Sequence, residues 1–466
     1  MKISNSVLLF LLGSLLAAAG EVDRLISDLR DGDKVARREA ARSLAQLGPE
    51  AKPAVPALVR ALDDDEEQVF FWSATALANL GPDAHEATPE LIKRLSRSGR
   101  RYRDQVRLRV VTALTRIGPA AVPQLIDALD DESQSIRSGA ARVLGNIGLD
   151  AHEAVLRLFA LLGDEEIYLG ETAGAALGKI GPAAHPQVLE ALGSDNENIR
   201  AAAAVAIGWM SQPGEPAKRL AKRLEAESSS RVTANGLEAL NRVGLPADQL
   251  LPLLLPALDH DSDRVRHEAM NGLLSLRPDS RAAVPHLVER LENGDPAKRS
   301  QAINLLGRIG PDAGGAVSRL IAHLGQAAEG EQVACRQAMV QIGQAAVPEI
   351  LASAKSQPLA KLGGESWQAK CLGEIGLQAA PALAAALKAE QADGSVYLSL
   401  LGLKNIEARS AAVRQAILPF LEHKQAAFRG MALSALVASA AKPASLMPRL
   451  QAAMHDDDLL VRQEAM

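Results

Sequence analysis

Chemistry would require this chain to gather a nucleophile, an acid–base pair or a set of metal ligands at one place. Three His-Glu pairs occur: His85-Glu86, His152-Glu153 and His267-Glu268. Imidazole and carboxylate together suit a divalent transition metal, but one pair supplies only two donors. The string GAALGKIG, Gly174–Gly181, approaches a phosphate-cradling loop. It is one residue short, lacks the Ser or Thr after Lys179, and reads as part of a helix. Neither G-x-S-x-G nor H-E-x-x-H occurs. Clustered acidic turns such as Asp63–Glu67 and Asp130–Glu132 offer hard oxygens, but they read as helix caps before they read as cation sites. These residues assign no catalytic, cofactor-binding or metal-binding position, and the chain is expected not to be an enzyme.

The residues suited to recognition are more numerous. Between 93 and 109, Lys93, Arg94, Arg97, Arg100, Arg101, Arg103, Arg107 and Arg109 stand against one acid, Asp104. Such a stretch fits an anionic partner or an acidic membrane surface; the plain alternative is a solvated loop. Trp72, Trp209 and Trp367 are the three tryptophans. Tryptophan is enriched among interface anchors, though a ring wedged between packed helices explains it equally well.

A repeat must position these residues. The stretch Ile136–Gly148, IRSGAARVLGNIG, recurs with its last residue at Gly48, Gly81, Gly118, Gly148, Gly181, Ser211, Gly244, Arg277, Gly310, Gly343, Gly376, Glu407 and Ala440, mostly 33 residues apart. A fixed period in this range denotes stacked helix pairs. On a 3.6-residue helix Ile136, Ala140, Val143, Leu144 and Ile147 form one apolar stripe. The closing glycine suits a left-handed C-cap. A shorter helix follows, with Pro56, Pro89, Pro123, Pro285 or Pro348 in its first turn.

The pattern D-x4-[VI]-R-x2-A-A-x2-L-G-x-I-G-P resembles the HEAT repeat, in the short bacterial form shared with phycobilin lyases. The resemblance implies an all-α fold: an α-α superhelix, a HEAT/armadillo-like solenoid of about 13 helix pairs. It also implies a ladder between the turn Asp and the Arg of the second helix. Arg37, Arg107, Arg137, Arg200, Arg266, Arg299, Arg429 and Arg462 meet the Arg position. Phe70, Gly170, Thr233, Gln332, Glu365 and Val396 break it, most densely between residues 330 and 410. Two enzymatic relatives set alternatives. Deoxyhypusine hydroxylase builds a di-iron site from four His-Glu pairs on second helices; only His267-Glu268 matches that placement, with Ala234-Asn235 and Ser300-Gln301 in neighbouring repeats. No residue specifically supports the bilin binding of a phycobilin lyase.

Second helices line the inner side of such solenoids. The slots of Ser138, Arg142 and Asn146 lie opposite the buried stripe and collect Arg38, Arg42, Arg116, Arg142, Lys179, Arg242, Arg308 and Lys370, against Glu171, Glu238 and Glu374. Arg38, Arg42, Arg116 and Arg142 carry no acid among these slots. The expected function is therefore a scaffold binding a protein or acidic peptide, with Arg38, Arg42, Trp72, Arg100, Arg101, Arg103, Arg116, Arg142, Trp209 and Trp367 as contact residues. A structural spacer is the remaining alternative.

The chain has 466 residues, 47% hydrophobic and 3% aromatic, with a net charge of −5, which gives no reason to expect a nucleic-acid partner. Residues 1–20 join Lys2 to an apolar run and Ala17–Ala19, so they read as a secretory signal; an uncleaved anchor is the alternative. The expected destination is periplasmic or extracellular. Residues 21–466 read as a single solenoid whose last repeat, ending VRQEAM, is incomplete. Val461 and Ala465 are thus expected to lack part of their packing partners, leaving a frayed or dimer-forming end. Cys335 and Cys371 sit on adjacent layers at different heights, beyond the roughly 7 Å a disulfide spans, and read as packing residues.

Overall fold

The computed structural model describes residues 20–96, 103–276, 279–389, 392–440 and 446–466, without the side chains of 103–107. The leader reading and Arg97, Arg100 and Arg101 lie outside the described residues. Helices and short connections make up the described residues, with no strand among them. The chain is an all-α superhelix of stacked helix pairs.

The second helices carry the apolar stripe. We number them α1 (Lys34–Leu47), α2 (Glu67–Leu80), α3 (Arg103–Ile117), α4 (Gln134–Ile147), α5 (Ile167–Ile180), α6 (Glu197–Trp209), α7 (Ser230–Val243), α8 (Asp263–Ser275), α9 (Pro296–Ile309), α10 (Glu329–Ile342), α11 (Trp367–Ile375), α12 (Asp393–Asn405), α13 (Ala426–Ala438) and α14 (Leu459–Ala465). In α4, Ile136, Ala140, Val143 and Leu144 are buried, as the 3.6-residue period requires. The leucine equivalent to Leu144 is fully buried at Leu44, Leu77, Leu114, Leu177 and Leu240.

The first element of most pairs is a 3-10 turn leading into a short α-helix, as in Gly148–Ala154 followed by Val155–Ala160; Gly214–Leu224 and Ala247–Ala257 are α-helices without that turn. Proline stands in the first turn of Val55–Ala61, Val122–Asp127 and Val284–Asn293, where the missing N–H costs nothing. Gly244, with φ 68° and ψ 50°, is the expected left-handed C-cap, but the other closing glycines differ. Gly148 has φ 76° and ψ −134°, outside the left-handed helical region but still a conformation open chiefly to glycine. The chain must enter the 3-10 turn at once, and this peptide orientation directs it there. Glu407, in a glycine's place, is the sole non-glycine with positive φ among the described residues.

Small residues set the spacing between layers. An added Cβ on Gly174 would overlap the carbonyl of Ala202, and one on Gly178 that of Ala206. The glycines of GAALGKIG are therefore contact points inside α5, and the string holds no phosphate loop.

The arginine ladder forms along the turns. Arg37 donates to both oxygens of Asp64 at 2.7 and 3.0 Å. Arg200 does the same to Glu227 at 2.9 Å for each bond, and Arg429 to Asp456 at 2.8 and 2.7 Å. Each also donates to a carbonyl of its own turn: Gly32, Ser194 and His423. The acid has a second task, since Asp64 accepts from the Glu66 amide at 2.8 Å and so shapes the turn that starts the helix. At the gaps, substitutes appear. Gln332 donates its amide to the Ala327 carbonyl, and Arg94, at the end of the short helix Thr88–Lys93 that follows α2, reaches back to Asp63 and the Leu62 carbonyl.

The chain divides into two compact units. One holds residues up to Leu245 with His260–Glu268; the other holds Pro246–Asp259 and Ala269–Met466. Within the second, Val461 and Ala465 are buried, contrary to expectation, because α14 lays them against α13. Leu459 and Leu460 are the apolar side chains exposed there. Cys335 and Cys371 are unpaired and buried, and burial pushes each thiol up to about 12, as expected for packing residues. No helix among the described residues is long and apolar enough to cross a membrane.

Candidate functional site

In the first unit the side chain two residues before each helix-terminating position points out of the stack. These residues are Gln46, Asn79, Arg116, Asn146, Lys179, Trp209 and Arg242. Because the helices stack in register, neighbours along this lane touch. Arg116 donates to Asn79 Oδ1 at 2.8 Å, and Asn79 in turn donates to the Ala45 carbonyl at 2.9 Å. Lys179 Nζ donates to Asn146 Oδ1 at 3.0 Å. The same ammonium lies 4.5 Å from the centre of the Trp209 ring, and the Arg242 guanidinium lies 4.4 Å from it. Two cations on one indole is a favourable arrangement that also fixes where they stand.

Arg142, one turn earlier on α4, donates to the Tyr168 hydroxyl at the start of α5. With Asn146, Lys179 and Trp209 these residues enclose a cavity of about 430 Å³. Burial disfavours the ammonium of Lys179 and lowers its pKa; the charges of Arg142 and Arg242 push the same way. Neither Arg142 nor Lys179 forms an ion pair with a carboxylate among the described residues. Arg242 does, with Glu238 at 2.8 Å.

The structure rearranges the expected site. The Ser138 slot faces outward only in some helices: Ser138 is buried and Ala201 and Ala234 hold that slot in α6 and α7, whereas Leu108 in α3 and Val333 in α10 are exposed there. Arg38 and Arg42 are not free of acid, since Glu39 lies 3.3 Å from Arg38 and 4.0 Å from Arg42. Glu39 belongs to the slot of Trp72 and Trp367, which was read for aromatics alone. Arg42 also lies 5.7 Å from the Trp72 ring, and Phe71 meets that ring edge-on at 5.2 Å. Trp72 is half-buried. Trp209 is 42% exposed, yet its ring is engaged by Lys179 and Arg242, so it holds cations in place as well as offering surface. Trp367, half-buried, begins α11 in the second unit.

The basic stretch is less free than its sequence implied. Lys93 and Arg94 pair with Glu90, and Arg94 with Asp63; the Arg109 guanidinium sits 4.5 Å over the Phe71 ring. Arg103 lies at the start of α3, with its side chain outside the described residues. Sequence reasoning missed Tyr168 and Phe71, which the Trp-and-Arg search passed over; each is an aromatic early on a second helix, one repeat from the arginine it meets. The His-Glu pairs are exposed and separate, and no group of three His, Cys, Asp or Glu side chains among the described residues could hold a metal.

The HEAT-repeat family profile matches residues 22–105, 100–167, 155–241 and 251–341, well over half of the chain. The chain belongs to the HEAT-repeat family. No curated protein matches it. Among solved structures, Kap95p in a structure with RanGDP is 13% identical, with 95% of this chain and 71% of that chain covered and a TM-score of 0.49. The karyopherin Kap121p bound to the SUMO protease Ulp1p is 14% identical, with 95% and 60% covered and a TM-score of 0.46. An engineered protein is 19% identical, with 90% and 98% covered and a TM-score of 0.23. This chain thus spans about three fifths of the Kap121p chain.

Proposed function

We propose that this chain is a non-catalytic HEAT-repeat scaffold whose first unit captures an acidic peptide segment of a protein partner along the lane from Asn79 to Arg242. The observation that carries this reading is that Arg116, Arg142 and Lys179 point out of the stack with amide, hydroxyl or ring partners and no carboxylate, whereas the turn arginines Arg37, Arg200 and Arg429 are each saturated by an acid. Cations held by neutral groups keep their attraction for an incoming carboxylate. The lane amides Gln46, Asn79 and Asn146 suit the backbone of an extended segment. The leader supports a further element of the proposal, that the protein works after export.

The test is capture of a fluorescent oligoglutamate peptide by the full chain. Binding should weaken as salt rises, because exposed charges are screened over about 8 Å at physiological ionic strength. The triple variant Arg116→Ser, Arg142→Ser, Lys179→Gln should lose capture with an unchanged thermal melt. Undiminished capture by that variant at low salt would place the binding surface elsewhere.

A further inference from the structure

Within that lane the cavity beside Trp209 has features that a general acidic-peptide surface does not need. Its walls are Arg142, Asn146, Tyr168, Lys179 and Trp209, and its base includes Ala176. The base is shallow because α4 and α5 meet there through Gly145, where a Cβ would run into the Ala176 backbone.

The cavity does contain an acid of its own, Glu171. Its carboxylate accepts from Asn235 Nδ2 at 2.9 Å. Asn235 is only 1% exposed, donates also to the Ala201 carbonyl at 3.3 Å, and accepts from Arg264 at 2.6 Å. This bond joins α5 to α7 across the intervening helix, and it forms because α6 presents only Ala201 and Ala202 at that level. Glu171 is thereby anchored to a buried amide and forms no ion pair with Lys179 or Arg142. The Arg242 charge is answered by Glu238. What remains is a pair of positioned, uncompensated cations at the mouth of a cavity with a small apolar base.

We infer that this cavity is a seat for one carboxylate of the captured peptide, gripped between Arg142 and Lys179, with the adjoining methylene carbons against Ala176 and the Trp209 edge. The inference rests on the acidic-peptide reading above and adds a specific anchor to it. A single carboxylate fits better than a phosphate dianion, because Glu171 already places one negative charge at the edge of the cavity. Guanidinium and ammonium donors form their strongest hydrogen bonds with ionised oxygens. The depressed pKa of Lys179 agrees, since its causes are burial and then the charges of Arg142 and Arg242.

The test uses the full chain with Trp72→Phe and Trp367→Phe, leaving Trp209 as the fluorescent reporter. Three probes are titrated: a short blocked peptide with one glutamate, the same peptide with glutamine there, and the glutamine peptide with a free terminal carboxylate. The glutamate peptide should bind saturably. Its affinity should fall about tenfold or more on Lys179→Gln or Arg142→Gln, and Lys179→Arg should retain most of it. Replacing the peptide's glutamate by glutamine should produce a similar loss on the unsubstituted seat, a result independent of how any seat variant folds. Recovery by the free terminus would identify a chain end as the source of the carboxylate; no recovery would identify a side chain. Equal affinity of the glutamate and glutamine peptides, with oligoglutamate still captured, would overturn the seat and leave the scaffold reading standing. Loss of oligoglutamate capture as well would overturn both. Displacement of the glutamate peptide by inorganic phosphate at lower concentration than by acetate would overturn the carboxylate assignment.

Discussion

Arg200 and Arg142 lie in the same unit, on helices two layers apart, and their surroundings are opposite in kind. Arg200 and Glu227 have side chains 9% and 1% exposed, with two matched hydrogen bonds and further donation to turn carbonyls. Arg142 projects into solvent beside a tyrosine hydroxyl, close to Lys179, whose partners are an amide and an indole. The turn edge uses arginine to tie one repeat to the next. The lane holds its cations with neutral groups and leaves their charge available. In the second unit the equivalent lane positions are Ser275, Arg308, Gln341, Glu374, Asn405 and Ala438, without a ring and with an acid. Charge type alone therefore does not distinguish a structural arginine from a binding one; the partner does.

The largest expected effect tests the turn edge. Arg200→Ala would leave the buried Glu227 carboxylate with only Arg223 at 3.3 Å and the Ser229 amide at 3.0 Å, and should cost up to about 3–5 kcal/mol in urea unfolding. A loss no greater than an exposed pair's would remove the contrast.

The next effect sharpens it through pH. The hydrogen bonds from Arg429 hold Asp456 down at about 2, against the opposing effect of burial, with help from the Asp458 amide. A depressed carboxylate stabilises the fold above its unfolded pKa and loses that contribution as pH falls through the folded value. Stability should thus fall from near pH 4 toward pH 2, and Asp456→Asn should flatten that part of the profile. At neutral pH the same substitution should cost about 1.5–3 kcal/mol, as for a hydrogen bond to a charged group.

Lane substitutions should be nearly silent in stability. Lys179→Gln should change unfolding by no more than about 1 kcal/mol, as expected for a half-buried side chain without an ion pair. The exposed pair Lys52–Asp83 provides the baseline: Lys52→Ala should cost about 0–1 kcal/mol and become neutral in high salt.

The architecture was legible because the repeat states one physical rule thirteen times. Leu144 and its equivalents had to be buried, and Pro56, Pro123 and Pro285 had to start helices. The ladder was legible at Arg37, Arg200 and Arg429, where Arg and acid recur at a fixed spacing. The site was legible only in part. Arg116, Arg142, Lys179 and Arg242 could be assigned to an outward face, but their partners lie a repeat away in sequence. Nothing local marks Tyr168 as the partner of Arg142, or Trp209 as a ring shared by Lys179 and Arg242. Glu39 escaped because it occupies a slot that holds tryptophan in other repeats. The link from Glu171 to Asn235 skips a layer, which a period-by-period reading does not reach. The near phosphate-loop string shows the reverse case: Gly174 and Gly178 answer to the Ala202 and Ala206 carbonyls, and Lys179 reaches the site beside the Ala175 and Ala176 backbone.

The most direct measurement compares two variants of the full chain, Arg142→Gln with Lys179→Gln together and Arg200→Gln alone, each in urea unfolding and in oligoglutamate binding at low salt. The lane variant should unfold like the unsubstituted protein and lose most of its binding. The turn variant should unfold far more readily and, at urea-free conditions where it remains folded, bind with nearly full affinity. A lane variant that binds normally, or one that is destabilised as much as Arg200→Gln, would contradict the division of labour between the two sets of cations.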